Sequence, residues 1–238
     1  MTCENNVKLS ELNSLSHLAA LSLSVSTDQC LQENFVLPKL QRYCIVVNQD
    51  LRFIPGLTFR TLKIKDFSSS LSAFKELLCN VEKLTLENVM EQKNIVPNID
   101  QEGLNELTSL KLRNCEDMEC LMDTTGEKGP TTVFSNLVKL NMMGMTCFKE
   151  LCHGLPPIRF LQRLKDVIIQ HCHRLKVIFH TMDGLLPREE ICQTPLLSNL
   201  TSLVLESLPE LESMEITVNP SISCKPPKYK GCKNSLLL

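Results

Sequence analysis

The stretch 104–121, LNELTSLKLRNCEDMECL, decides how the rest of the chain is read. Its apolar residues fall at Leu104, Leu107, Leu110, Leu112, Cys115 and Met118, a pattern L-x-x-L-x-x-L-x-L-x-x-C-x-x-M. The spacing steps by three, drops once to two, and returns to three, so it fits neither a continuous helix nor a continuous strand. A step of two puts Leu110 and Leu112 on one side of an extended segment, because successive strand side chains alternate faces. Steps of three on either side suit tight turns that bring the chain back to that face. The expected unit is a short strand between two turns, with all its apolar side chains pointing one way.

The same frame recurs along the chain. Leu15, Leu18, Leu21 and Leu23 fit it, as do Leu37, Leu40, Tyr43 and Ile45. A weaker unit has Phe59, Leu62, Ile64 and Phe67, with Gly56 where a Leu is expected. Leu78, Val81, Leu84, Leu86 and Val89 precede the opening stretch. After it come Phe134, Leu137, Leu140, Met142 and Met145, then Leu161, Leu164, Val167, Ile169, Cys172 and Leu175, then Leu197, Leu200, Leu203, Leu205, Leu208 and Leu211. The first strand positions are 21, 43, 62, 84, 110, 140, 167 and 203, separated by 19 to 36 residues. Leucine-rich repeats run about 20–29 residues. The longer intervals predict loops at 91–103, 119–133 and 183–195, which carry Gly, Pro and charge.

One such unit cannot offset the backbone entropy of ordering it with its few apolar side chains, so neighbours must cover both of its faces. The expected fold class is an α/β repeat, a right-handed leucine-rich-repeat solenoid. A parallel sheet of short strands lines its concave face, and irregular loops and short helical turns form the convex one. About eight irregular repeats are expected over 1–214, with 215–238 an irregular or disordered tail. No capping element is visible at either end, so the chain is expected to be part of a larger one or to need a neighbour.

Residues between the apolar strand positions should face outward on the concave side. They include Arg42 and Cys44, then Thr61, Lys63 and Lys65, then Lys83, Thr85 and Glu87, then Ser109, Lys111 and Arg113. Later units add Lys139, Asn141 and Met143, then Asp166, Ile168 and Gln170, then Ser202, Val204 and Glu206. The candidate protein-binding residues are Lys63, Lys65, Lys83, Glu87, Lys111, Arg113, Lys139, Asn141, Gln170 and Glu206. The lysines and Arg113 form a basic strip suited to an acidic partner segment; the alternative is a solvated face whose charges serve solubility.

Composition removes other classes. A net charge of -2 does not favour a nucleic-acid partner. No apolar run is long enough to span a membrane, and no signal peptide is evident at the N-terminus. Twelve cysteines in 238 residues are too sparse for a small disulfide scaffold, so reduced, mostly buried thiols in the cytoplasm are expected. No phosphate-binding loop occurs. His171, Cys172 and His173, with Cys147, Cys152 and His153 one unit earlier, invite a zinc reading. Cys172, however, holds the frame position of Cys115, so a buried turn cysteine flanked by solvent-facing histidines is expected. A thiol hydrolase lacks any orienting motif. Neither an enzyme nor a bound metal or cofactor is expected. Met142 and Met145 fit core positions, leaving Met143 as a surface candidate. Asn199-Leu200-Thr201 matches a glycosylation sequon, but Leu200 belongs to the core frame.

Several runs carry a family resemblance: VKLSELNSLSHLAALSLSV at 7–25, LPKLQRYCI at 37–45, RTLKIKDF at 60–67, LCNVEKLTLENV at 78–89 and LTSLKLRNCEDMECL at 107–121. The most specific is FSNLVKLNMMGMTCFKELCHG at 134–154, followed by LKDVIIQHCHRLKVIF at 164–179. Over about 7–214 the chain resembles the leucine-rich-repeat region of plant coiled-coil, nucleotide-binding disease-resistance proteins. The resemblance implies a non-catalytic, cytoplasmic recognition module in plant defence. Such a module senses a pathogen effector or a guarded host protein, or restrains a nucleotide-binding domain. ADP or ATP would belong to that domain, which has no counterpart here. The alternative is a generic leucine-rich-repeat scaffold or a ubiquitin-ligase substrate adaptor; an F-box-like helical segment would support it, and none is visible before residue 15.

Overall fold

Leu84, Leu110, Leu140 and Val167 stand in one column, each the register partner of the next, and Leu203 follows Val167. A computed structural model describes residues 14–15, 17–26, 40–49, 57–69, 71–99, 103–126, 130–157, 159–178 and 199–212. The strands of the repeat are β1 (Ala20–Val25), β2 (Arg42–Val47), β3 (Arg60–Phe67), β4 (Lys83–Val89), β5 (Ser109–Arg113), β7 (Lys139–Met143), β9 (Asp166–Gln170) and β10 (Ser202–Glu206). They form one parallel sheet in that order, a solenoid with the sheet on its concave face. Burial alternates along the middle and later strands β4, β5, β7 and β9. In β5, Leu110 and Leu112 are buried while Ser109, Lys111 and Arg113 are half-buried.

The turns follow from the residues at the strand ends. Asn48, Asp66, Asn88, Asn114, Gly144, His171 and Ser207 all have φ between 49° and 67°. That left-handed conformation is tolerated best by Gly and by short polar side chains. Four of these residues also tie successive coils together. Asn114 Nδ2 donates to Asn88 Oδ1 at 3.2 Å, Asn88 Nδ2 donates to Asp66 Oδ1 at 2.6 Å, and Asn48 Nδ2 donates to the Asp66 carbonyl at 3.1 Å. The next position goes inward: Cys115 and Cys172 are buried, and each Sγ donates 3.5 Å to a strand-end carbonyl, of Arg113 and Gln170 respectively. His171 and His173 are exposed. The turns entering β5, β7 and β9 also use positive φ, at Leu104, Phe134 and Leu161, where burial of a large side chain offsets the backbone strain.

The structure corrects the frame in the first units. Tyr43 pairs with Leu21 and with Arg60, whereas Ile45 pairs with Leu23 and Leu62. The continuous column is therefore Leu23, Ile45, Leu62, Leu84, and the first two units sit two residues out of the expected frame. Cys44 and Val46, expected to face outward at least at Cys44, are buried. Register sets the stem of Lys63 beside Val46, and that aliphatic stem covers apolar surface. Leu15, expected in the core, is 46% exposed, and Phe59 is 40% exposed.

The intervals taken as loops are also corrected. Gln92, Asn94, Ile95, Val96 and Ile99 are buried, as are Cys120, Leu121, Met122 and Val133. On this return path β6 (Met122–Asp123) pairs in parallel with β8 (Cys152–His153), and Val96 bridges Met122. These segments form a second, shorter ladder that closes the core opposite the long strands. A 3-10 turn at Leu71–Phe74 runs into the short helix α1, Lys75–Leu78, where Phe74 meets Phe67 edge-on at 5.6 Å. Helix is otherwise scarce among the described residues. The expected loop at 183–195 and the tail 215–238 lie outside the described residues, as do Leu37, Gly56 and Leu197. Leu200 is buried, and Asn199 donates to the Gln162 carbonyl.

Candidate functional site

Strand register arranges the outward side chains of the sheet in three columns. The first runs Thr61, Lys83, Ser109, Lys139, Asp166, Ser202. The second runs Lys63, Thr85, Lys111, Asn141, Ile168, Val204, and the third runs Lys65, Glu87, Arg113, Met143, Gln170, Glu206. Adjacent rungs of a sheet are about 4.8 Å apart, so neighbours in a column touch. All ten residues expected to form a contact surface lie on this one face.

They do not form an even basic strip. Lys65 Nζ lies 3.3 Å from Glu87, and Lys139 Nζ lies 3.4 Å from Asp166. Lys83 Nζ sits 3.4 Å above the ring centroid of Phe59, a cation–π contact. Phe59 therefore serves the surface rather than the core. Gln170 Nε2 donates to Glu206 Oε2 at 2.7 Å. Among the described residues, Lys63, Lys111 and Arg113 have no ion pair. Burial, with the Arg113 and Lys63 charges adding to it, holds the Lys111 ammonium below its usual range, while Glu87 pulls the other way. Arg113 Nε and Asn141 Oδ1 are buried without a hydrogen-bond partner. The positive charge without an ion pair among the described residues of these columns thus lies at Lys63, Lys83, Lys111 and Arg113, on β3, β4 and β5.

The sequence places Met143, Ile168 and Val204 on this face and singles out Met143, but Ile168 and Val204 are not among the expected contact residues. Met143 and Ile168 are half-buried, and Val204 is 36% exposed. The signal was present, since Ile168 and Val204 occupy outward positions, but the lysines drew attention from it.

Residues 126–220 match the family described as plant disease resistance protein RPS2-like, leucine-rich repeats. That stretch is similar to the leucine-rich repeats of disease-resistance proteins. It takes in β7, β9 and β10, which continue the sheet of β1 through β5 without a break. The resemblance read from 134–154 and 164–179 falls within it. No curated protein and no solved structure matches this leucine-rich-repeat chain. Among its described residues no helix is long and apolar enough to cross a membrane, and no cluster of three or more His, Cys, Asp or Glu is placed to hold a metal ion.

Proposed function

We propose that the chain is a non-catalytic protein-recognition module of plant defence, acting in the cytoplasm. The observation that carries this is the disease-resistance repeat match on strands that share one continuous parallel sheet. A solenoid offers that sheet as an extended contact surface. The partner is a pathogen effector, a guarded host protein, or a nucleotide-binding domain of the same class. On this reading ADP or ATP chemistry belongs to the nucleotide-binding domain and not to these strands.

Restraint of a nucleotide-binding domain is open to a direct test. The chain is co-expressed in leaf cells with an autoactive nucleotide-binding domain of the disease-resistance class. Co-precipitation of the two and suppression of cell death are expected. The variant carrying Glu at Lys83, Lys111, Arg113 and Lys139 should lose both. If neither occurs with the unaltered chain, and effector or host-protein capture is also absent, the recognition reading fails.

A further inference from the structure

The concave face changes chemistry from one end to the other. Along its central column Lys63, Thr85 and Lys111 give way to Asn141, then Ile168, then Val204. Beside it, Arg113 is followed on the next rung by Met143. At the first end Lys63, Lys83, Lys111 and Arg113 lack an ion pair among the described residues, Lys83 resting over the Phe59 ring, and the Arg113 Nε is buried without an acceptor. At the second end the charged groups are already engaged: Asp166 by Lys139 and Glu206 by Gln170. What that end still offers is apolar surface at Met143, Ile168 and Val204. Uncompensated positive charge calls for carboxylates, and partly exposed apolar side chains call for apolar ones.

We propose that the face takes an extended segment of a partner protein laid across the strands. Its acidic residues sit over Lys63, Lys111 and Arg113, and its apolar residues sit over Met143, Ile168 and Val204. The proposal rests on the recognition-module reading and gives the partner segment a chemistry and a spacing. Lys111 and Ile168 are two rungs apart, about 10 Å, and an extended chain advances about 3.3 Å per residue. Side chains of an extended segment alternate faces, so every second residue meets the sheet. An acidic residue over Lys111 and an apolar one about two to four residues on would face Lys111 and Ile168, with Val204 about two residues further. A segment in which acidic and apolar residues strictly alternate would turn only one kind toward the sheet and match only one end of it.

Two fluorescein-labelled nonapeptides test this by anisotropy titration with the full chain. One has three glutamates, three threonines and three valines in blocks; the other has the same composition with glutamate and valine alternating. The block peptide should bind about tenfold more tightly and weaken as salt rises, because exposed charge pairs are screened. Lys111→Glu and Ile168→Asp should each weaken it about tenfold, with the circular-dichroism spectrum unchanged. Ile168→Lys should strengthen binding of a nonapeptide with six glutamates, a gain that misfolding cannot produce. Equal affinity for block and alternating peptides, no binding of either, or no gain with Ile168→Lys would overturn the proposal. Association with a nucleotide-binding domain that persists in the face of such a result would leave the recognition reading standing and remove only the acidic–apolar pattern.

Discussion

Gly144 shows how closely a single residue can be bound to its neighbour one coil away. It takes the left-handed strand-end position, at φ 67°, that Asn114 takes one coil earlier. A Cβ on Gly144 would lie 2.3 Å from Asn114 Oδ1. Gly144→Ala therefore meets two penalties, the left-handed backbone at about 1–2 kcal/mol and displacement of the Asn114 amide from its bond to Asn88. The expected loss is about 2–3 kcal/mol by urea titration. In an Asn114→Ala background the clash is gone and only the backbone term remains, so the same substitution should cost about 1–2 kcal/mol. Equal costs in the two backgrounds would mean that the Asn114 side chain moves aside freely. Nothing in the sequence announces this coupling: the Asn in RNCED and the Gly in MMGMT read as ordinary turn residues until register sets them side by side.

At the scale of the element, the turns after β5 and β9 each send a cysteine into the core, at Cys115 and Cys172. Burial pushes the Cys115 and Cys172 thiols up to about 11, and backbone hydrogen bonds lower them only partly. On the return path burial takes Cys120 and Cys152 to about 12. In the unfolded chain a thiol ionises near pH 8.5. Above that pH the unfolded chain has released protons that the folded one keeps, so stability falls as pH rises from about 9 through about 11 and is fully present below that window. The midpoint of thermal unfolding should hold level to about pH 9 and decline beyond it. Cys115→Val combined with Cys172→Val should flatten the decline between pH 9 and 11, and an unchanged slope would assign the loss to other groups. The strand and turn elements were legible because the step of two between steps of three marks a strand closed by turns. The register of β2 was not, because Tyr43, Cys44, Ile45, Val46 and Val47 are all apolar and buried, so alternation cannot say which face each takes. The return path was hidden for the opposite reason. Ile95, Val96, Leu121 and Met122 lie among prolines, glycines and charges, and their few core residues set up no period.

For the whole molecule, the column of buried side chains makes stability a property of neighbouring coils. Leu62, Leu84, Leu110 and Leu140 are at most 1% exposed, while Leu21 and Leu23 in β1 and Leu203 in β10 are half-buried. Among the described residues the β1 and β10 coils have one packed face and the middle coils two, so the middle should open last. The concave face obeys the same geometry. Its membership could be read from alternation, but which lysines keep their charge depends on which strand lies next, and Lys65 meets Glu87 only through the pairing of β3 with β4. Native-state hydrogen exchange should therefore show the slowest amides in β3, β4, β5 and β7 and faster ones in β1 and β10. Leu110→Ala should cost about 2–5 kcal/mol, since it leaves a cavity between two packed coils. In a one-dimensional array that loss should speed exchange most in β4, β5 and β7 and progressively less toward β1 and β10. A uniform rise across every strand would instead mean that the coils open as one unit, and that the nearest-neighbour account of this solenoid is wrong.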